Sequence, residues 1–429
     1  MSTDIRDYRL VTASAYPGMM APLTVHPSCI CILSGDADHG TPGGAATPAR
    51  LSLEKLDGVR RRWRFGDVAR LADFVPKVLA DVPADDRPVL LIPPRASLSW
   101  QAAATAWPGR VRLAASPMAV TEPLAEDKIA VRAALRELGL PLPRELILAA
   151  ADVDFAAVAR RLGTPFVLQT PGGAGGQGTY LIRATADLTA ALREQPHAAR
   201  WLVSEYAGDT TINAAGLVYG DGVRLLPVSA QSSGITELGF GFGAYCGSTF
   251  GPDAVPADVA AQAGAYAEVV GHWLGRLGHR GMYGVDIAVD GTDLRLLEVN
   301  PRIQGSSWLL SGLQAEPCLV AHVEAVLGAE LGTPVVPAQP VRTGSHLLMR
   351  WTGSPGVVHG LPSLGEQDGV SVTGLPERGV TLLPGAIMAR LAADHVMTTA
   401  DGRGLTPDTE HRVRALRDGF DITVAAATH

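Results

Sequence analysis

One stretch in the second half of the sequence, residues 281–307, constrains this chain more than any other. Its sequence is GMYGVDIAVDGTDLRLLEVNPRIQGSS, in which two strand-like runs, residues 283–290 and 294–300, flank a short turn. This pattern predicts a β-hairpin. A three-residue loop would place Asp290 opposite Leu294. We therefore expect an antiparallel strand pair on which side chains two residues apart share a face.

This hairpin would bring acidic side chains together. Counting along the ladder from the turn places Asp286 opposite Glu298, with Asn300 on the same face. Two facing carboxylates repel each other unless a cation lies between them, and Mg²⁺ prefers carboxylate and amide oxygens together with substrate phosphates. Arg302, just past Pro301, can reach an anionic ligand. The hairpin predicts a magnesium-phosphate site, and a surface hairpin with solvated acids is the alternative.

A second stretch, residues 171–179 (PGGAGGQGT), is rich in glycine and directly follows a strand-like run, PFVLQ. Glycines let successive backbone N–H groups turn toward phosphate oxygens, and they also favour a mobile flap. A strand rather than a helix follows, and no Gly-Lys-Ser/Thr ending occurs, so the stretch is neither a Walker A motif nor a dinucleotide-binding fingerprint. A flap over phosphates and a plain β-turn both fit this sequence.

Composition narrows the classes of protein that fit. The 429 residues carry a net charge of −7 with a pI near 5.9, which argues against a nucleic-acid or membrane-surface binder, because both need a basic face. The four cysteines show neither metal-binding nor disulfide spacing. No apolar signal segment and no run of about 18 apolar residues is present. We expect a cytoplasmic protein without nucleic-acid or membrane partners.

The distribution of apolar and turn-forming residues predicts three parts. Residues 1–120 have α/β character, residues 121–331 alternate helix and strand patterns, and residues 341–429 combine short apolar runs with Gly and Pro, as in a small β-rich domain. Pro334, Pro337 and Pro340 mark a linker before the last part. The expected fold class is therefore mixed, with α+β and α/β units.

The order of these elements resembles the ATP-grasp superfamily. A helix-opening lysine, a strand with a glycine-rich loop, a strand with a carboxylate hinge, and a D…ExNxR pattern follow one another as in that family across residues 121–331. The resemblance implies two α+β subdomains, residues 121–200 and 201–331, that grip ATP. It also implies an N-terminal α/β pre-ATP-grasp domain and a small C-terminal β-rich domain.

The resemblance also implies roles for individual residues. Those on the first helix, the flap strand and loop, and the hinge would contact the nucleotide: Lys128, Gln169, Gly173, Gly175, Gly176, Gly178, Glu205, Tyr206, Ala207 and Asp209. The hairpin would supply the metal ligands: Asp286, Glu298 and Asn300. Two of its residues would act in catalysis: Arg302 and Asn300. Residues after it would contact the substrate: Gln304, Gly305 and Ser306. Gln169 departs from the family, which usually has a charged lysine there.

The reaction that the resemblance implies uses ATP with Mg²⁺, with two ions expected and Mn²⁺ able to substitute. A substrate carboxylate would be phosphorylated, and an amine would then displace phosphate. The expected partners are a small-molecule carboxylate and an amine, such as an amino acid or short peptide, and a homodimer is compatible with this arrangement. Three alternatives stay open: an ATP-grasp carboxylase, a ligase of nucleotide-precursor metabolism, and a nucleotide-binding regulatory protein without turnover.

Overall fold

The computed structural model of this chain describes most of the sequence: residues 2–37, 48–82, 87–173, 175–332, 340, 342–363 and 369–424. Short 3₁₀ helices join several of its elements: Ile5–Asp7, Pro17–Met20, Arg70–Phe74, Ala150–Asp152 and Thr236–Leu238. The mixed α+β and α/β fold class is confirmed, because a parallel sheet is followed by antiparallel sheets.

The N-terminal part is built around a parallel sheet. Its elements, in chain order, are β1 (Arg9–Ser14), α1 (Ala21–Thr24), β2 (Cys29–Ser34), β3 (Ala49–Ser52), α2 (Leu53–Asp57), β4 (Val59–Arg60), α3 (Phe65–Ala69), α4 (Val75–Asp81), β5 (Val89–Ile92), α5 (Leu98–Thr105) and β6 (Val111–Leu113). The strand order is β3-β2-β1-β5-β6. All residues of β1 and β5 are buried, as expected of parallel strands covered on both faces.

A small antiparallel sheet with order β7-β10-β8-β9 comes next. The elements of this region are α6 (Met118–Glu126), α7 (Lys128–Glu137), β7 (Glu145–Ala149), α8 (Phe155–Leu162), β8 (Phe166–Gln169), β9 (Thr179–Ile182), α9 (Thr185–Glu194) and β10 (Arg200–Glu205). The glycine-rich stretch joins β8 to β9, and β10 ends at the predicted hinge. The Asp127 side chain accepts hydrogen bonds from the first turn of α7, so that helix begins at Lys128.

A larger antiparallel sheet carries the acidic hairpin. Its region contains β11 (Thr210–Val218), β12 (Val223–Leu225), β13 (Ser229–Ser233), β14 (Tyr245–Phe250), α10 (Ala257–Arg276), β15 (Gly281–Asp290), β16 (Asp293–Asn300), α11 (Ser307–Leu313) and α12 (Cys318–Leu327). The apolar stripe of α10, with Val259, Ala263, Val270 and Leu274 buried, packs against this sheet. Within the described chain, no helix is both long and apolar enough to span a membrane.

The C-terminal segment extends the same large sheet. It contains β17 (Gly344–Arg350), β18 (Gly356–Gly360), β19 (Val370–Thr373), β20 (Thr381–Leu382), β21 (Ile387–Ala393), α13 (Pro407–Asp418) and β22 (Asp421–Val424). The order of the large sheet is β16-β15-β11-β13-β14-β17-β21-β19, and a second sheet has the order β22-β18-β20-β4. Pro334 and Pro337 of the expected linker lie outside the described residues. Hydrogen-bonded sheets cross between the three parts of the chain. The three predicted domain boundaries stay a prediction.

Arg60 ties the N-terminal part to the C-terminal segment. Its fully buried guanidinium lies 2.7 Å from the Glu54 carboxylate and 3.6 Å from that of Asp36. It also donates hydrogen bonds to the backbone carbonyls of Gly374 (2.6 Å) and Leu375 (3.1 Å). If Arg60 were removed, the buried Glu54 carboxylate would lose its cation, whereas Asp36 would keep its pairing with Arg390. This cluster therefore fixes how β4 is placed against β20.

We expect Arg60→Leu to destabilise the protein by about 3–5 kcal/mol, because it leaves the buried Glu54 carboxylate without a cation. Equilibrium unfolding in urea measures this change. The matched control is Arg414→Leu, whose exposed guanidinium pairs with Glu410 at 2.7 Å and should contribute less than about 1 kcal/mol. Equal losses in the two variants would contradict the tying role of Arg60.

Candidate active site

The acidic hairpin has the predicted pairing of Asp286 with Glu298, but its turn and its register differ from the prediction. The three-residue loop is wrong: the turn has two residues, and Asp290 faces Asp293. Uniform counting from this turn would set Asp286 opposite Leu297. A β-bulge at Leu297 shifts the register by one residue, so that Asp286 does lie opposite Glu298. The two errors of the sequence prediction cancel, and the carboxylate pair forms as expected.

The bulge is supported from α7 and from the loop before β7. The Nε atom of Arg132 donates to the carbonyl of Leu297 at 3.0 Å, and its guanidinium pairs with Glu145 at 3.2 Å. The backbone N–H of Leu296 donates to the carbonyl of Pro141 at 2.9 Å. These long-range contacts hold the extra residue, which is why counting along the hairpin alone could not reveal it.

Three amide side chains surround the Asp286 carboxylate. Asn213 and Gln231 each donate to its Oδ1 atom at 2.7 Å, and Asn300 donates to Oδ2 at 3.0 Å. Asn213 lies directly opposite Asp286 in the pairing of β11 with β15. Sequence reasoning missed Asn213 and Gln231. A lone amide in the otherwise apolar run of β11 was the one signal for Asn213.

The electrostatics of the hairpin face favour a bound cation. Desolvation, and then the neighbouring charge of Glu298, raise the pKa of Asp286 to about 6. Asn300 Oδ1 accepts a hydrogen bond from Arg302 at 3.0 Å, and desolvation lowers the pKa of Arg302. Oxygen donors on two carboxylates and an amide fit Mg²⁺, with phosphates completing its shell. Within the described residues, no cluster of three or more His, Cys, Asp or Glu side chains could hold a metal ion.

Lys128 joins this face to the glycine-rich loop. Its side chain is buried, with Nζ donating to the carbonyl of Gly173 at 2.5 Å and lying 3.6 Å from Glu298 Oε1. Lys128 is the first residue of α7, and its backbone N–H donates to the carbonyl of Pro171 at 2.9 Å. The predicted phosphate-binding lysine therefore forms an ion pair with Glu298, one of the predicted metal ligands.

The glycine-rich loop lies closed against the opposite sheet region. A Cβ atom on Gly176, which has φ +80°, would lie 2.5 Å from the Ala244 Cα atom. The carbonyl of Gly175 accepts a hydrogen bond from the Arg62 guanidinium at 3.1 Å. Gly178 has φ +71°, and a Cβ there would collide with the Thr170 side chain. Gly176 therefore has to be glycine both for its backbone conformation and because the Ala244 backbone leaves no room for a side chain.

The predicted hinge residues follow β10 at the other end of the cleft. Both carboxylate oxygens of Glu205 are engaged by Arg144, whose backbone N–H donates at 2.9 Å and whose Nε donates at 2.5 Å. The Tyr206 hydroxyl donates to Asp209 Oδ1 at 2.5 Å. Gln169, in the place of the usual lysine, donates to the Thr179 hydroxyl at 3.2 Å. The amide at this position holds the flap strands and brings no charge.

One cavity of about 430 Å³ collects most of the predicted residues. The predicted residues that line it are Gln169, Gly175, Gly176, Glu205, Tyr206, Ala207, Asp209, Asp286, Glu298, Asn300, Arg302, Gln304, Gly305 and Ser306. Three others lie outside its lining: Lys128, Gly173 and Gly178. Several lining residues were missed by the sequence analysis: Arg132, Thr179, Arg183, Asn213, Gln231, Tyr245 and Arg403.

The residues after the hairpin form the far end of this cavity. Gln304 uses its side-chain amide to donate to the carbonyls of Asn300 (3.1 Å) and Arg302 (2.8 Å), so it holds the turn that presents the guanidinium. The Arg302 guanidinium also packs over the Phe65 ring, 4.9 Å from its centroid. Gly305 and Ser306 follow at the cavity wall. Contact of these residues with substrate stays a prediction.

The cavity lies between two antiparallel sheets, with the glycine-rich loop on one side and the carboxylate-bearing hairpin on the other. Residues 125–306 match the family model described as ATP-grasp domain. This part of the chain is therefore an ATP-grasp domain, as the sequence resemblance predicted. ATP with Mg²⁺ is the cofactor pair typical of this superfamily.

Curated relatives cover part of the chain. The D-alanine--D-alanine ligase of Desulforudis audaxviator is 29% identical over 182 residues, which is 41% of this chain and 58% of that ligase. The formate-dependent phosphoribosylglycinamide formyltransferase of Corynebacterium glutamicum is 25% identical over 303 residues, 68% of this chain and 67% of that protein. The chain therefore spans less than two thirds of the ligase.

Solved structures share the fold over nearly the full chain. The L-amino acid ligase from Bacillus licheniformis has a TM-score of 0.62 at 15% identity, covering 97% of this chain and 99% of that one. The biotin carboxylase domain of the 2-oxoglutarate carboxylase of Hydrogenobacter thermophilus has a TM-score of 0.63 at 15% identity, covering 97% and 91%. At these identities the likeness establishes the fold alone.

We expect Gln231→Ala to weaken divalent-cation binding by about 10–100-fold, because Asp286 loses one of the donors that fix its orientation. Titration of the protein with Mn²⁺, followed by electron paramagnetic resonance of the free ion, measures this affinity without turnover. The control is Gln262→Ala, at an exposed amide that donates only to the Tyr266 hydroxyl. Unchanged Mn²⁺ affinity in Gln231→Ala would show that Asp286 needs no such support.

We expect Gly176→Ala to lower kcat for ADP release by about 10–100-fold, since the added methyl group keeps the flap from closing on Ala244. The control is Gly163→Ala, where φ is +88° but a Cβ meets nothing within 4 Å. Both variants introduce backbone strain, which thermal unfolding measures as a loss of stability. Steady-state kinetics then shows whether Gly176→Ala loses kcat beyond the loss in Gly163→Ala. Equal kcat in the two variants would contradict the closed-flap assignment.

Proposed function

We propose that this protein is an ATP-dependent ligase that joins a carboxylate to an amine and releases ADP and phosphate. The observation that carries the proposal is the hairpin face, where Asp286, Glu298 and Asn300 stand beside the guanidinium of Arg302. A protein that only binds a nucleotide has no need for a cation aimed at a transferring phosphoryl group. Lys128, 3.6 Å from Glu298, adds a second positive charge at the same place.

The nucleotide would lie along the cavity, with its base at the hinge and its phosphates under the flap. Bound Mg²⁺ would offset the phosphate charge there. The Lys128 ammonium and the Arg302 guanidinium would hold the terminal phosphate from two sides. Arginine stays protonated despite the lowered pKa of Arg302, so its charge is present at neutral pH.

The proposed reaction has two steps. An oxygen of the substrate carboxylate attacks the γ-phosphorus, and the bond from this phosphorus to the β–γ bridging oxygen breaks. ADP departs with that oxygen, and the substrate becomes an acyl phosphate. The amine nitrogen then attacks the acyl carbon, phosphate departs, and the nitrogen loses its proton to solvent. Arg302 stabilises the charge on the transferring group. The flap, closed at Gly176, excludes the water that would hydrolyse the acyl phosphate.

The substrate class we propose is an amino acid or short peptide for both the acid and the amine. The match to a D-alanine--D-alanine ligase and the fold shared with an L-amino acid ligase support this choice. The rivals are a carboxylase acting on bicarbonate, suggested by the biotin carboxylase domain, and a ligase of nucleotide precursors, suggested by the formyltransferase. A regulatory protein without turnover is favoured by Gln169 alone, whose position lacks the usual charge.

Release of ADP and phosphate from ATP, measured against pools of amino acids and short peptides, tests the proposal. ADP, phosphate and an amide should appear in equal amounts when an acid and an amine are both present. Bicarbonate-dependent ADP release without the organic acid would identify the carboxylase instead. AMP and pyrophosphate as products would reject the acyl-phosphate route.

We expect Glu298→Ala to lower kcat by at least about 10²–10³-fold. The substitution removes a carboxylate that would hold the metal ion beside the transferring phosphoryl group. The variant should keep its fold, measured by circular dichroism and thermal unfolding. The control is Glu268→Ala, at an exposed position of α10, which should retain wild-type kcat. Full activity of Glu298→Ala with Mg-ATP would refute the site.

A further inference from the structure

A turn of the C-terminal segment reaches the hinge end of the cavity. It connects Thr398 to Leu405, which form a β-bridge after β21. Gly402 within it has φ +69°, and its carbonyl accepts a hydrogen bond from the backbone N–H of Ser233 at 3.3 Å. A Cβ on Gly402 would lie 2.5 Å from the carbonyl oxygen of Gln231. The turn is therefore docked tightly on β13, beside the nucleotide cleft.

This docked turn presents Arg403 to the predicted hinge. The Nη1 atom of Arg403 donates to the Tyr206 hydroxyl at 2.9 Å and to Asp209 Oδ1. The Tyr206 hydroxyl donates to the same oxygen at 2.5 Å. Arg403, Tyr206 and Asp209 all line the main cavity. A side chain almost 200 residues beyond the hinge thus becomes part of the cavity wall.

The two carboxylates at the hinge differ in what they can still accept. Arg144 uses both oxygens of Glu205, through its backbone N–H and its Nε atom. In Asp209, by contrast, the bonds from Arg403 and Tyr206 both end on Oδ1. Within the described part of the chain, Oδ2 of Asp209 receives no hydrogen bond, and Asp209 lines the cavity. Asp209 is therefore the carboxylate that can receive hydroxyl donors from a ligand.

We propose that Arg403 is a positioning residue of the nucleotide site, holding Asp209 so that its Oδ2 atom accepts hydrogen bonds from the ribose hydroxyls. The inference rests on the proposed function, because it needs ATP in this cavity. It assigns the C-terminal segment a part in nucleotide binding, although Arg403 lies outside residues 125–306. The side chains of Arg403 and Asp209 are 34% and 67% exposed, so the pair adds little to stability and acts mainly through geometry.

Isothermal titration of the full chain with Mg-ATP and with Mg-2′,3′-dideoxy-ATP tests this inference. Arg403→Met should bind Mg-ATP about 5–10-fold more weakly, since a partly exposed charge-assisted contact is lost. The dideoxy nucleotide should bind wild type more weakly than ATP does, whereas Arg403→Met should bind the two nucleotides nearly alike. Arg403→Lys should restore part of the preference for the ribose hydroxyls. If Arg403 only stabilised the turn, its substitution would leave the preference for the ribose hydroxyls unchanged.

The matched control is Arg414→Met, in the same segment, whose exposed guanidinium pairs with Glu410. It should bind both nucleotides as wild type does. If Arg403→Met kept the full ribose preference, the inference would be overturned while the ligase proposal stood. If wild type bound no Mg-ATP, the inference and the proposed function would both fall. Tight ATP binding without amide formation would overturn the ligase alone and leave the role of Arg403 supported by its own titration.

Discussion

The repulsion between two facing carboxylates sets the condition that the rest of this site has to meet. Asp286 and Glu298 share one desolvated face of a hairpin, and the pKa of Asp286 rises to about 6 as a result. Such a pair costs free energy unless amide donors and cations surround it. The protein supplies both, with three amides on Asp286 and Lys128 beside Glu298. A divalent cation with phosphate oxygens would complete the compensation.

The large sheet explains how that condition is met by residues far apart in sequence. Its strands bring Asn213 and Gln231 alongside the hairpin, because β11 pairs with β15 and β13 pairs with β11. The same sheet continues into the C-terminal strands, whose following turn places Arg403 at the hinge. The hinge end and the hairpin end of the cavity are therefore connected through one continuous hydrogen-bonded sheet.

Prediction succeeded where a motif is local and failed where geometry is set by packing. The hairpin, the clustering of its four polar side chains and the mixed fold class follow from short runs of sequence with clear alternation and turn residues. The loop length was wrong, because the bulge at Leu297 depends on Arg132 and Pro141, which the hairpin's own sequence does not contain. Gln231 and Arg403 carry no local signature, since an amide or a guanidinium on a short polar segment fits many surface roles.

The sequence by itself determined the chemistry of this protein's cleft: oxygen donors at two-residue spacing, a guanidinium just beyond a proline, and glycines after a strand. Those features are local, because strand periodicity and backbone freedom are properties of neighbouring residues. Only the tertiary structure decided which carboxylate at the hinge keeps an open oxygen, and which distant side chains hold Asp286. Such choices depend on contacts between strands that are far apart in the chain, and these contacts form only when the sheets assemble.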